Sequence, residues 1–598
     1  MKKLLILFIG IVLFSCNDDY LDQVPDDRLT FEETFSKLNT LEKYLANVYS
    51  VIPNEYGQRY TVQNSGPWLC ASDNAEYVWS FHLGNSFNTG SWDPTTGYVS
   101  TLWSNFYRGI RKSTTFINNI DLCKEISPAL KSQYIAEARV LRAYFYYNLM
   151  RLYGPVLLMG DETIAPDDEL SALDLERRPI GEVVDYITAE LDLGAEGLKG
   201  VNFKGTNAGR MSRPFALAIK EKVLLFAASP LYNGNTNMEG LKTSEGADLV
   251  PQSYDVALWK EAADVAKSFI DEYVPGTFSL YKENNASGEF DPYLSCRNVM
   301  TVQWNEEMIY ERPRGTNYYF YDVTPYHNGE NGEVKGAGGL SATQSMVDAY
   351  FTSNGRSIDD PASGYRESGF SNFQAPYDFE ERSTYNQWTN REPRFYVGIT
   401  YNGSLWLNRD HGNIITKTWY GGNSGRQVGG NDYPPTGYVV RKKMITGNRN
   451  ATGVAIPVIR LAEIYLDYVE ALNEYDSGNP DILLYLNKIR ERAGIPEYGE
   501  GDLEIPSTQE GMRIAIRKER RVELAFESVR YFDARRWLTA EEKFGGPMYG
   551  MDINATSEAD FYNRVVFENR VFDTKHYLWP IPQDEIDANP NILQNPGW

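Results

Sequence analysis

Histidine and cysteine are scarce in this 598-residue chain, with four of each. His82, His327, His411 and His576 stand far apart, none within helical reach of another and none in an H-E-x-x-H arrangement, so no metal site is expected from them, only hydrogen bonding at the surface or in loops. Among the cysteines, Cys16 belongs to an N-terminal signal taken up below. Cys70, Cys123 and Cys296 are then an odd number without C-x-x-C spacing, so no disulfide framework is expected, although a single bridge is left open. The motifs G-x-S-x-G, G-x-x-x-x-G-K-[ST] and G-x-G-x-x-G are missing, which argues against an α/β-hydrolase, a P-loop enzyme and a dinucleotide binder, and no cofactor is expected. Basic residues are in deficit, 58 Lys and Arg against 81 Asp and Glu, for a net charge of −23. A surface this acidic repels phosphate backbones and anionic headgroups, so nucleic acid and a peripheral membrane surface are poor partners. Solubility at a crowded cell surface accounts for the charge equally well.

The longest apolar run lies at the start, where Lys2 and Lys3 precede Leu4 to Phe14, eleven residues broken only by Gly10. That is too short to span a bilayer, which takes ~20 apolar residues, and it reads as a signal peptide over residues 1–15. Leu13-Phe14-Ser15-Cys16 resembles the lipobox of bacterial lipoproteins, in which the cysteine is acylated, and residues 16–30 then form a lipidated tether. A plain secretory signal cut near Ser15, or an uncleaved anchor, is the alternative. Removing residues 1–15 takes away two positive charges and no negative ones, so −23 becomes −25. Asn17-Asp18-Asp19 resembles the acidic tag that sends lipoproteins to the outer face of the outer membrane; an ordinary polar tether is the alternative. Beyond Cys16 no apolar stretch approaches spanning length, so any membrane attachment comes from the lipid.

The remainder, residues 31–598, exceeds the size at which one core usually splits, and two subdomains in one body are expected. Helical periodicity is plain from Gln133 to Leu152, where Ile135, Ala138, Leu141, Ala143, Phe145 and Leu149 recur at three- and four-residue steps before Gly154-Pro155. Pro214 to Ala228 repeats the pattern, with Pro230 just beyond. Leu461, Ile464, Tyr465, Tyr468, Val469 and Leu472 form another stripe, and Ile482, Leu486, Ile489 and Ala493 its partner, stopped by Gly494 and Pro496. Helix pairs such as Ala462–Glu474 and Asp481–Ala493 predict an all-α scaffold of degenerate tetratricopeptide-like repeats, without a clean 34-residue period. The scaffold is expected in an N-terminal helical part near 31–280 and a C-terminal one near 451–598. A loop-rich part near 281–450 lies between them. Gly84 to Gly97, Tyr318 to Gly339 and Tyr401 to Tyr438 are Gly-, Asn- and Tyr-rich without a period, and long irregular segments in a compact protein are usually functional.

Aromatic residues are abundant, with 12 Trp, 42 Tyr and 27 Phe. A sugar ring offers a sheet of C–H groups on one face and hydroxyls round its rim, so a binder needs an aromatic plate with amides and charged groups beside it. Asp73, Asn74, Trp79, His82, Asn85, Asn88 and Trp92 supply that mixture in the N-terminal loops. Tyr318, Tyr319, Tyr321 and Tyr326 form a second candidate wall with Arg314, Asn317 and Trp304. Taken singly, each of these aromatics could instead pack beneath a loop. Glycosidase chemistry needs only two facing carboxylates, and the candidates are Glu306-Glu307 beside Trp304, and Asp73 near Glu76. Adjacent acids are more often simply solvated.

Longer motifs carry a resemblance. Gly209-Arg-Met-Ser-Arg-Pro-Phe-Ala-Leu-Ala-Ile-Lys220 leads to Ala228-Ser229-Pro230-Leu231-Tyr232-Asn233. Thr343 to Tyr350, Arg391-Glu392-Pro393-Arg394-Phe395 and Gly437 to Lys442 follow. After these come Pro457 to Glu463, Asn487 to Gly494, Glu519 to Glu527, Arg530-Tyr531-Phe532-Asp533, Leu578-Trp579-Pro580-Ile581-Pro582 and Asn589-Pro590-Asn591 to Gly597-Trp598. In this order the chain resembles SusD/RagB lipoproteins over essentially the whole of residues 16–598. The resemblance implies a SusD-like helical scaffold with a loop-rich glycan-binding face, seated on a SusC-like TonB-dependent transporter at the outer membrane and lacking catalysis. Ligand contacts vary with the sugar in such proteins, so none carries over by motif. The motif residues read as structural: Arg460, Glu463, Arg520, Arg521 and Glu523 as charges paired between helices, Trp579 and Pro580 as anchors of an extended tail. A carrier that must release its cargo needs modest affinity, and micromolar to millimolar binding corresponds to ~4 to 8 kcal/mol. Two other readings compete: a peptide-binding or purely structural transporter subunit, which would offer a groove of helix residues, and a surface glycosidase. The sugar, its linkage and any help from Ca²⁺ stay open; no EF-hand-like loop is present.

Overall fold

The computed structural model describes residues 30–59, 66–161, 175–313, 318–406, 414–445, 449 and 454–598. The expected signal peptide, Cys16 and all but the last residue of the tether lie outside the described residues, as do Arg314, Asn317 and His411.

Among the described residues, nine helices of twelve residues or more carry the architecture: α1 Leu38–Tyr49, α2 Gly97–Asn119, α3 Pro128–Tyr153, α4 Ile180–Gly197, α5 Arg213–Ala228, α6 Ala257–Tyr273, α7 Leu461–Tyr475, α8 Pro480–Ala493 and α9 Gln509–Glu523. Their ends follow from side chains that satisfy terminal N–H groups. Ser127 accepts from Leu130 ahead of Pro128, Ser212 from Phe215, Asn479 from Asp481, and Thr508 from Gly511. Gly154 (φ 81°) closes α3 and Gly494 (φ 70°) closes α8, the latter in the left-handed conformation that glycine adopts without cost.

The helices form one continuous array. α2 packs on α3, α3 on α4, α4 on α5 and α5 on α6; the sequence of contacts then passes from α6 to α7, although residues 274–460 intervene, and α7 holds α8 and α9. This is the stacked helix-pair scaffold expected from the sequence, with the central part looped out of it. Enclosed between α2 and α4, α3 buries Tyr144, Phe145, Tyr146 and Tyr147 in succession, so it is apolar round its circumference rather than along a stripe. Gly109 lets α2 approach it, since a Cβ there would lie 2.7 Å from the Phe145 ring.

Beneath α7, α8 and α9 runs a buried ionic network. Arg460 meets Glu307 at 2.6 Å, Glu523 at 2.7 Å and Glu527 at 2.7 Å. Arg492 pairs with Glu307 at 3.0 Å and also with Glu523, while Arg520 pairs with Asp533 at 2.7 Å and also with Asp467. Glu463 receives Lys222, and Arg521 reaches Asp73 at 2.8 Å. Burial works against the charge on Glu523, but Arg492, Arg460 and Arg394 around it hold its carboxyl well below the usual range. The charged motifs of the C-terminal part are therefore structural.

The described residues between 281 and 445 fold around a second hydrophobic cluster that includes Tyr319, Phe320, Trp388, Phe395, Trp406 and Tyr438. They do so with short helices and two-stranded ribbons. β1 (Ala75–Tyr77) pairs antiparallel with β3 (Leu340–Ala342), and β2 (Met308–Arg312) with β4 (Ile456–Arg460). The first pairing brings an N-terminal loop onto the central part; the second ties together the two ends of the insertion. Trp579 is fully buried and its backbone N–H donates to the Leu152 carbonyl at 2.8 Å, anchoring the C-terminal tail over the end of α3.

Candidate functional site

The β1–β3 pairing matches Tyr77 with Leu340, and the Val78 N–H extends the ladder to the Gly339 carbonyl at 2.9 Å. Gly339 has no side chain because the Trp79 ring lies against it, where a Cβ would sit 2.6 Å from the indole. Trp79 is thus fixed on the loop-rich face. Its Nε1–H donates to Asp432 Oδ1 at 3.0 Å, its ring runs nearly parallel to Phe81 (5.9 Å, 14°), and the Arg59 guanidinium carbon lies 4.1 Å from its centre. Arg59 also lies 5.6 Å from the Tyr318 ring and 5.3 Å from that of Tyr321, and pairs with Asp322 at 3.0 Å. Arg449 covers Tyr321 at 5.2 Å.

These residues make a shelf of aromatic plates braced by the guanidiniums of Arg59 and Arg449. Trp79 itself is 7% exposed, whereas Phe81 is 57% and Tyr318 50% exposed, so Trp79 is the support and the other two are the accessible plates. Asp432 is half-buried at the rim, giving an acceptor beside them. Chemically the shelf can stack on the C–H face of a ring while Arg59 and Asp432 address polar groups at its edge.

Of the residues expected at a ligand site, Trp79, Tyr318 and Tyr321 come together here. Others do not. Asp73 is buried and takes a two-point ion pair from Arg530, at 2.7 and 3.0 Å. Burial opposes its charge, yet Arg521 and Arg530 hold its carboxyl down at about 2. Asn74, directly before β1, is buried, and its backbone carbonyl accepts from the Thr343 N–H at 3.1 Å. His82 is buried and stacked on Tyr77 at 4.0 Å, and its Nε2 lies 2.6 Å from the Gln58 carbonyl; burial lowers it to about 4, so it stays neutral. Trp92 is buried among Phe87, Trp579 and Trp598 (4.4, 5.4 and 4.7 Å between ring centres), supporting the C-terminal tail. Tyr319 is buried, its hydroxyl donating to the Lys442 carbonyl at 2.7 Å. All five side chains are buried in the core; those of Asp73, His82 and Tyr319 are hydrogen-bonded or ion-paired and that of Trp92 is packed, while Asn74 Oδ1 meets no donor among the described residues.

Trp304 is 36% exposed but stands apart, on a cavity of about 230 Å³ lined by Phe203, Lys204, Thr277 and Phe278 and by no residue of the shelf. It holds the left-handed conformation (φ 54°) and donates its N–H to Glu311 at 2.5 Å. The sequence reading missed Phe81, Arg59 and Asp432. Phe81 lay in plain view between Trp79 and His82, but Asp432 is 353 positions from Trp79, and only the fold joins them.

The carboxylate pairs considered for glycosidase chemistry are engaged elsewhere. Glu307 is buried between Arg460 and Arg492 while Glu306 is exposed. Asp73 answers to Arg530, and Glu76 to Arg570 at 2.7 Å. Asp322, beneath the shelf, has no exposed surface and cannot reach a glycosidic oxygen. His82 and His327 lie in loops and are hydrogen-bonded there, as expected, while both of them and His576 are buried rather than at the surface. Cys70, Cys123 and Cys296 are buried thiols. Among the described residues no three His, Cys, Asp or Glu side chains converge as a metal set, and no helix is long and apolar enough to cross a membrane.

Comparison with known proteins matches residues 304–598 to the SusD family and residues 19–225 to a family described as starch-binding and associating with the outer membrane. A SusD-like protein P2 of Formosa agariphila is 24% identical over the full length of both chains. A SusD-like protein of Bacteroides ovatus is 23% identical over 90% of this chain and 82% of its own length. Among solved structures, a SusD-like protein from Bacteroides fragilis superposes with a TM-score of 0.72 at 23% identity, covering 97% of this chain and 99% of that one. At that identity the structural likeness establishes the fold.

Proposed function

Because the chain belongs to the SusD family, we propose that it captures an oligosaccharide at the cell surface and passes it to a SusC-like TonB-dependent transporter in the outer membrane, without chemically altering it. In this reading the two helical parts, 31–280 and 451–598, are the scaffold and the loop-rich part, 281–450, together with Arg59 and residues 66–81, carries the ligand. Cys16 bears the lipid that holds the protein to the membrane.

The observation that carries the proposal is the pair of exposed plates, Phe81 and Tyr318, flanking Trp79 and Arg59 on the loop-rich face. Exposed aromatic faces flanked by charged groups match a ring with an apolar face and a polar rim. A carbohydrate-binding role has support in the family's description and in a SusD-like carbohydrate-binding protein of Bacteroides fragilis with a TM-score of 0.66 to this chain. Affinity electrophoresis of the mature protein through gels holding plant, host and microbial polysaccharides tests it. Retardation by at least one of them is the expected result; migration unchanged in every gel would favour the transporter-subunit or peptide-binding reading.

A further inference from the structure

We propose that a second cleft, remote in sequence from Trp79, recognises the anionic group of an acidic sugar, a carboxylate or sulfate ester carried on a saccharide ring. The proposal rests on the reading of this chain as a glycan binder and names a substrate class for it. The cleft, of about 150 Å³, lies between the short helix Pro292–Asn298 and the segments around 375–378 and 401–406. Pockets for drug-sized ligands run to ~300 Å³ and above, so this one suits a single sugar unit rather than a chain.

Its walls combine plates with cations. Tyr293 and Tyr377 are stacked, with ring centres 5.1 Å apart at 30°, and Tyr377 is 45% exposed at the mouth. Tyr377 takes the left-handed conformation (φ 63°), which a tyrosine adopts only when held, and its hydroxyl donates to Asp291 Oδ2 at 2.5 Å. Arg297 and Arg441 both line the cleft. Arg441 is 9% exposed; its Nη2 donates to the Tyr293 hydroxyl at 3.2 Å, while its Nε–H has no acceptor among the described residues. Burying a guanidinium is costly unless its donors are met, and a planar fork of N–H groups matches a carboxylate or sulfate.

Among the described residues one acid lines the cleft, Asp378, and it is already committed. Arg382 holds it at 2.7 and 3.1 Å, and it caps the Phe379 N–H at 2.7 Å. In a chain of net charge −23, the buried Arg441 guanidinium in an aromatic cleft, with one N–H unmet among the described residues, selects for an anion.

Isothermal titration of the mature protein with tetragalacturonate, a sulfated galactan oligosaccharide and the neutral galactan oligosaccharide of equal length tests this. One of the acidic probes should bind at least tenfold tighter than the neutral one, which of the two telling carboxylate from sulfate. Arg441→Gln should abolish that preference, while Tyr318→Ala, which alters only the shelf, should leave it. Tyr377→Ala, at the exposed mouth, should weaken the acidic probe several-fold and serves should Arg441→Gln fail to fold. Acidic probes that bind no tighter than the neutral one, or a preference that survives these cleft substitutions, overturn the proposal. Neutral binding unchanged in Tyr318→Ala, with the acidic preference lost only on the cleft substitutions, would count against the shelf alone.

Discussion

The guanidinium of Arg59 lies 4.1 Å from the centre of the Trp79 ring and pairs at 3.0 Å with Asp322, a carboxylate with no exposed surface. The same cation supports an aromatic plate and answers a buried acid, so the shape of the shelf and the stability of the loops beneath it are coupled through Arg59. Burial drives the Asp322 carboxyl well above its ordinary range and Arg59 opposes the rise.

Arg59→Met should therefore destabilise the protein by roughly 3 kcal/mol at neutral pH, the cost of removing one partner of a buried pair. A carboxyl with a raised native value favours folding at low pH and loses that contribution as pH rises, so the penalty should be smaller at pH 5 than at pH 8. Adding Asp322→Asn should recover most of the loss. Chemical denaturation of the two single variants and the double variant checks this; strictly additive losses would show the pair is not coupled.

Trp92 and Phe81 should respond oppositely although both stand in the same stretch of N-terminal loops. Trp92→Ala opens the cluster around Trp579 and should cost about 3 to 5 kcal/mol of stability. Phe81→Ala, on an exposed plate, should leave the melting temperature within a degree or two and reduce glycan affinity several-fold. Thermal melts alongside binding isotherms separate the two, and a stable Trp92→Ala with impaired binding would return Trp92 to the ligand site.

Asp73 sets an acid limit on stability. Its carboxyl is held at about 2 in the folded chain. An unfolded aspartate titrates near 4, so the ion pairs with Arg521 and Arg530 contribute roughly 2 to 3 kcal/mol above that pH, lost as the pH falls from ~5 towards 2. Asp73→Asn should be less stable at pH 7 and show a shallower decline over that window; parallel curves for the two proteins would contradict the assignment.

Replacing Cys16 by alanine should abolish labelling by radioactive palmitate and move the protein from the membrane to the soluble fraction. Persistent membrane retention would mean that something other than a lipid on Cys16 holds it.

The scaffold was legible in the sequence because its signals are local. The stripes of Leu461 to Leu472 and Ile482 to Ala493, with Pro480 and Gly494 at the ends of α8, mark helix and boundary within a few residues. The charged motifs were also legible as structure, since Arg460 and Glu523 cannot both be buried without partners. The site was legible only in part. Trp79 and Trp92 sit in loops of similar composition, and nothing within those loops tells that one ends beside Arg59 and the other beneath Trp579. That difference is made by pairings across hundreds of residues: β1 with β3, Trp79 with Asp432, Trp92 with Trp598. Asp73 and His82 misled for a related reason, because a polar side chain in a loop looks available until its buried partners are known.

The most direct measurement is isothermal titration of the retained glycan into the mature protein and into a Phe81→Ala/Tyr318→Ala double variant. Two exposed stacking contacts of about 1 kcal/mol each amount to a weakening of roughly thirtyfold, and the account predicts a loss of that order with an unchanged melting temperature. Equal affinity in the two folded proteins would contradict it and place the glycan elsewhere on the molecule.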